Sequence, residues 1–283
     1  MKKQFKDLNL SNSFLFAAAL NDPETCRMVL KIMLGHEVSK VNVKTEHSIM
    51  LSSDARCVRL DVNARDEYNV NYDIEAQNED DKNIVKRSRY YQAEMDVAEL
   101  KPGDDFNKLP NSYVIFICTF DPFGKGLYRY TFTQRCEENG MPLGDGTYKI
   151  FLNTRGNVVS KVPDVLINFL GYFENSTDDY VISTRDESIT ELHRKITELK
   201  KSREWEAGYM KLEELFEKKK REGIEQGQHI ALVASISDFL SDKGDLSAEL
   251  KERIEAENDI TKLNEWIKLA VKTETIEEFE KNM

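Results

Sequence analysis

Cysteine is scarce in this chain, and the cysteines present stand apart. Four of them, Cys26, Cys57, Cys118 and Cys136, are scattered over 283 residues without a C-x-x-C pair. That spacing argues against a disulfide framework or a cysteine zinc site, and for ordinary thiols in a reducing compartment. The histidines (His36, His47, His193 and His229) are equally dispersed. No apolar run reaches the roughly 18 residues that span a bilayer. No signal-peptide pattern opens the chain, and there is no long internal repeat. Positive charge is in deficit: the formal net charge is −11. A surface that is basic all over is thereby excluded, so any nucleic acid must be met by a local patch. The expectation is a soluble cytoplasmic protein with no membrane partner.

What is present suffices for a folded protein. Apolar residues make up 40% and charged residues 32% of the chain, a globular rather than a disordered balance. Three segments differ in texture. The first, 1–185, mixes helix and strand. "SNSFLFAAALND" offers a Ser/Asn start and an apolar run. "DPETCRMVLKIMLG" has Asp22 as N-cap, Pro23 at the first helical position and Gly35 after the end. "KVNVKTEHSIML" reads as a strand, and a hairpin follows. "NIVKRSRYYQAEMDVAEL" reads as a helix, ended by Lys101-Pro102-Gly103. "SYVIFICTF" is a continuous run rich in β-branched and aromatic residues, hence a buried central strand. "LYRYTFTQRC" and "TYKIFLN" add strands. This order predicts an α/β sheet with helices on its faces.

The second segment, 186–228, reads as a charged linker helix. Ile189, Leu192, Ile196 and Leu199 form a stripe lost at Arg203 and Glu206. Packing on its own or the next domain suits so short a stripe better than a dimer seam, although a homodimer stays open. Gly223 and Gly227 weaken the helix there and suggest a hinge. The third segment, 229–283, reads as a small helical module.

The chemistry-bearing stretch is "RLDVNARDEYNVNYDIEAQNE", residues 59–79. Strands alternate faces, so Asp61, Asn63 and Arg65 share one face, and Asp73, Glu75 and Gln77 share one face of the next strand. A three-residue loop at Glu67-Tyr68-Asn69, with Asn69 tolerating φ > 0, pairs Asp66 with Val70. Paired numbers then total 136, which sets Asp61 opposite Glu75 with Cβ atoms about 4.5–5.5 Å apart. Two such carboxylates repel unless a cation lies between them, and Mg²⁺ is a natural filler. A solvated polar face of an ordinary hairpin fits the same alternation, and a two-residue loop would break the pairing.

The stretches "NSFLFAAALNDPETCRMVLKIMLG", "VRLDVNARDE", "YDIEAQ", "KRSRYYQAEMDVAEL", "YVIFICTFDPFGKGLYRYTF" and "IFLNTRG" together resemble the Rpn-like recombination-promoting nucleases, also known as PD-(D/E)XK nuclease family transposases. The resemblance spans most of 10–175. It implies a restriction-endonuclease-like core, a central mixed sheet flanked by helices, followed by a helical C-terminal region. It also implies a Mg²⁺-dependent DNA endonuclease, other divalent cations being possible, that hydrolyses phosphodiester bonds in recombination or in mobile elements. Asp61 falls at the motif's metal-binding Asp, Glu75 at its second acid and Gln77 at its lysine. Glu46, on the preceding strand, falls where relatives often carry an acid and would complete the metal set. Arg87, Arg89 and Gln92 are candidates to touch DNA phosphates, with Arg89 and Gln92 neighbours on the cleft side of their helix. Gln77 departs from the superfamily pattern, because an amide orients water but brings no positive charge. A Gln77→Lys change restores the superfamily residue beside the same carboxylates and is therefore expected to be tolerated. The departure also leaves open a catalytically weak or inactive nuclease fold that acts as a binding or regulatory module.

Overall fold

The structure, a computed structural model, describes residues 3–45, 62–158 and 162–283. Asp61, Glu46, Cys57 and His47 lie outside the described residues. The helices are α1 (Ser13–Leu20), α2 (Pro23–Leu34), α3 (Ile84–Glu99), α4 (Asp164–Glu174), α5 (Asp178–Thr184), α6 (Glu187–Leu199), α7 (Arg203–Ser241), α8 (Ala248–Ala256), α9 (Ile260–Lys272) and α10 (Ile276–Asn282). The strands are β1 (Val41–Thr45), β2 (Val62–Asp66), β3 (Asn71–Gln77), β4 (Ser112–Cys118), β5 (Arg129–Phe132) and β6 (Thr147–Asn153).

Among the described residues six strands form one sheet in the order β1-β2-β3-β4-β6-β5. β1, β2 and β3 pair antiparallel, β3, β4 and β6 run parallel, and β5 closes the far edge antiparallel to β6. Parallel neighbours need a crossover, and α3 supplies the one between β3 and β4. β4 is buried on both faces, as its unbroken apolar run requires: Val114, Ile115, Phe116, Ile117 and Cys118 all have 0% exposure. α1 and α2 pack against β3 and β1, and α4 and α6 pack against α2. The α6 stripe is spent inside this unit, with Ile189, Leu192 and Ile196 buried. The mixed sheet flanked by helices, followed by a helical region, is the PD-(D/E)XK-like architecture.

The chain divides into two compact units, Met1–Tyr209 and Met210–Met283. The second is built from helices around Ile236, Leu240, Leu250, Ile254, Leu263, Trp266 and Phe279. The charged region is two helices rather than one. α6 ends at Leu199, and α7 restarts at Arg203 and continues through Gly223 and Gly227 to Ser241.

Candidate active site

The β2–β3 hairpin turns on three residues. The Asp66 backbone N–H donates to the Val70 carbonyl at 3.1 Å, and Asn69 takes φ 63°. Asp66 fixes the turn from inside. Its Oδ1 accepts from the Tyr68 and Val70 N–H groups at 3.0 and 2.9 Å, and its Oδ2 accepts from the Tyr72 hydroxyl at 3.0 Å. The resulting register pairs Val62 with Ile74, Asn63 with Asp73, Ala64 with Tyr72 and Arg65 with Asn71. Each pair totals 136, the register expected from the loop length.

Alternation along β3 then sorts the side chains. Tyr72 and Ile74 point to one face and are buried with Val62 and Ala64. Asp73, Glu75 and Gln77 point to the other and lie beside Val114, Phe116 and Cys118 of β4. α3 covers that second face, so these acids are not solvated: Asp73 is 3% and Glu75 4% exposed. A buried carboxylate needs a partner, and Glu75 has one in Arg87. The Arg87 Nη2 donates to Glu75 Oε2 at 2.5 Å, Nη1 to Gln77 Oε1 at 2.8 Å and Nε to the Tyr91 hydroxyl at 3.3 Å. The guanidinium carbon lies 5.5 Å from the centroids of both the Tyr91 and Phe116 rings. The Tyr91 and Phe116 rings themselves stack at 6.1 Å and 11°. The ion pair is therefore walled by aromatic carbon, where charge interactions outweigh those at a surface. Removing one member would strand the other at a cost of about 3–5 kcal/mol. The far side of the Gln77 amide is also committed, since Nε2 donates to the Glu79 carbonyl at 2.5 Å.

Next to this arrangement a cleft of about 390 Å³ opens between the hairpin and α3, bordered by Asn63, Arg65, Asp73, Tyr91, Glu94 and Glu99 among others. Arg65, on its border, is paired with Glu99 and donates from Nε to Asn71 Oδ1 at 2.7 Å. Cys118, level with Gln77 in the ladder, is no nucleophile. Burial pushes its thiol up to about 12, so it stays protonated.

Glu75, Gln77 and Arg87 thus converge. Arg89 and Gln92 separate. The buried stripe of α3 runs through Ile84, Ser88 and Gln92, one residue per turn at i, i+4. Gln92 is drawn inward, where its Nε2 donates to the Ser112 hydroxyl. Arg89 falls outside the stripe and is exposed, as is Lys86. Asp73 was not singled out from sequence, although the D-x-E-x-Q alternation places it on the Glu75 face. Asp73 and Glu75 are one alternation apart, about 6.6–6.8 Å along the strand. Their hard oxygen donors suit Mg²⁺ or another hard divalent cation. Among the described residues no group of three Asp, Glu, His or Cys side chains comes together as a metal set. The other expected ligands, Asp61 and Glu46, lie outside the described residues.

Residues 15–154 match the family model described as PD-(D/E)XK nuclease family transposase. No curated protein and no solved structure matches the chain.

Proposed function

We propose that this chain, which belongs through residues 15–154 to the PD-(D/E)XK nuclease family transposases, is a divalent-metal-dependent DNA endonuclease. The observation that carries the reading is the buried Glu75, fixed by Arg87 beside Gln77 at the end of β3 within the matched core. Glu75 would hold Mg²⁺ together with Asp61 and Glu46. The bound cation would supply the charge that activates water and stabilises the phosphate in hydrolysis.

The chain's own groups do the rest. Arg87 holds the Glu75 carboxylate in one orientation. Tyr91 and Phe116 keep bulk water from the pair. Lys86 and Arg89 on the outer side of α3 grip the DNA backbone as a local basic patch on an acidic protein. Among the described residues no helix is long and apolar enough to cross a membrane. The transposase in the family's description supports a role in recombination or in mobile elements. The neutral residue at position 77 supports a second reading, a nuclease fold that binds DNA without cutting it.

Nicking of supercoiled plasmid by the full chain, titrated with Mg²⁺ and Mn²⁺, decides between the two. The wild type should nick only with a divalent cation, and Asp61→Ala and Glu75→Ala should each lose at least about 100-fold, a barrier change near 2.7 kcal/mol. Equal nicking by Glu75→Ala at every metal concentration would remove Glu75 from the ligand set. No nicking by any protein, with DNA still bound, selects the non-cutting module.

A further inference from the structure

Arg87 is organised beyond what a phosphate contact on a helix needs. Its guanidinium meets two β3 side chains and one helix neighbour through all three of its nitrogens, and two aromatic rings flank it. A planar guanidinium suits this cradle, and an ammonium does not. The same contacts leave Gln77 little freedom. Its Oε1 accepts from Arg87 and its Nε2 donates to the Glu79 carbonyl, so both ends of the amide are held by protein.

We propose that Arg87 and Gln77 are an exchanged pair. The cation that a lysine at position 77 would bring on β3 comes instead from α3, and Gln77 is the amide that docks it. Arg87 is on this view a positioning residue, acting through Glu75 and Gln77. The proposal rests on the nuclease reading for its catalytic consequence but not for its structural one. It also reverses the expectation that Gln77→Lys is tolerated. A lysine there would set an ammonium against the Arg87 guanidinium within a few ångström, where like charges disfavour each other strongly. Arg87 further competes with any divalent cation for Glu75. Removing it should tighten metal binding while slowing turnover, a split that a purely structural role would not produce.

The test is a four-variant set in the full chain: Gln77→Lys, Arg87→Gln, Arg87→Lys and the double exchange Gln77→Lys/Arg87→Gln. Three quantities are read: the melting temperature without metal, Mn²⁺ affinity by calorimetry, and the Mg²⁺-dependent nicking rate. Gln77→Lys should melt lower than wild type and nick at least tenfold more slowly. Arg87→Gln should bind Mn²⁺ several-fold more tightly and also nick at least tenfold more slowly. Arg87→Lys should fall between Arg87→Gln and wild type in nicking, because it keeps the charge but loses the fork. The double exchange should recover the melting temperature and bring nicking to within about tenfold of wild type. A double variant no better than Gln77→Lys in both melting and nicking overturns the exchange. So does an Arg87→Gln protein with unchanged Mn²⁺ affinity and rate. If the wild type itself nicks nothing, the nuclease reading fails. The exchanged pair is then decided by the melting comparison, which needs neither metal nor DNA.

Discussion

Asp22 carries more of the first unit than one capping residue usually does. Its Oδ2 accepts from the Thr25 N–H at 3.0 Å and the Thr25 hydroxyl at 2.6 Å, and Lys195 Nζ of α6 pairs with it at 3.2 Å. Burial pushes its pKa up, and the Thr25 bonds and Lys195 more than reverse this, so the folded carboxyl titrates below its ordinary 3.8. A depressed carboxylate contributes stability that is present above the unfolded value and is lost as pH falls through the folded one. Stability should therefore drop as pH falls from 3.8. Asp22→Asn should keep the cap acceptor and flatten that acid limb, while Asp22→Ala should lose about 1 kcal/mol at neutral pH as well. Urea unfolding across the acid range checks both. An Asp22→Asn limb as steep as wild type would mean that other carboxylates carry the acid sensitivity. At this scale, residues with a local signal were legible in the sequence: Pro23 at the helix start, Gly35 at φ 79° as the cap, and Asn69 in the turn. Arg87 on Glu75 was not, because 12 residues and a change of element separate them.

Elements whose two faces differ were the easiest to read. The hairpin register follows from one left-handed Asn and strict alternation, and β4 follows from an unbroken apolar stretch. α4 and α5 gave no clear signal. α4 is apolar through Leu166, Phe169, Leu170, Tyr172 and Phe173, all buried, and Gly171 interrupts it. That glycine looks like a helix breaker from sequence alone, yet it is required by packing, since a Cβ there would run into the Tyr180 hydroxyl of α5. Gly223 and Gly227 are the opposite case. They lie inside α7, and a Cβ at either meets nothing within 4 Å. Alanine is favoured over glycine in a helix interior by about 0.8–1.0 kcal/mol. Gly223→Ala/Gly227→Ala should therefore raise the melting temperature of the full chain or slow its proteolysis within 210–240. If the melting temperature falls and proteolysis quickens instead, the helix needs flexibility at these glycines, as the hinge expected from the sequence requires.

For the whole molecule, a net charge of −11 must be reconciled with the polyanionic substrate proposed for it. The patch proposed for DNA is small. Lys82 pairs with Asp80, and Arg87 is occupied with Glu75, which leaves Lys86 and Arg89 as the exposed cations of α3. A richer basic run, Lys218 to Arg221, lies in the second unit and would attract attention first. There Lys218 and Lys219 pair with Glu222 at 3.8 and 3.0 Å, so much of that charge is balanced locally. The two patches make different demands on salt dependence. Each phosphate neutralised on duplex DNA contributes about −0.9 to the slope of log K against log salt. Two contacts on α3 predict a slope near −2, shallow for a DNA-binding protein. Lys86→Ala and Arg89→Ala should each reduce the magnitude by about 0.9. Lys219→Ala/Lys220→Ala should leave it unchanged. Fluorescence anisotropy with a labelled duplex, in Ca²⁺ to hold cleavage back, gives the slopes directly. A steep wild-type slope that collapses only in the Lys219→Ala/Lys220→Ala protein would move the DNA interface off α3, and with it the assignment of Lys86 and Arg89 to the substrate.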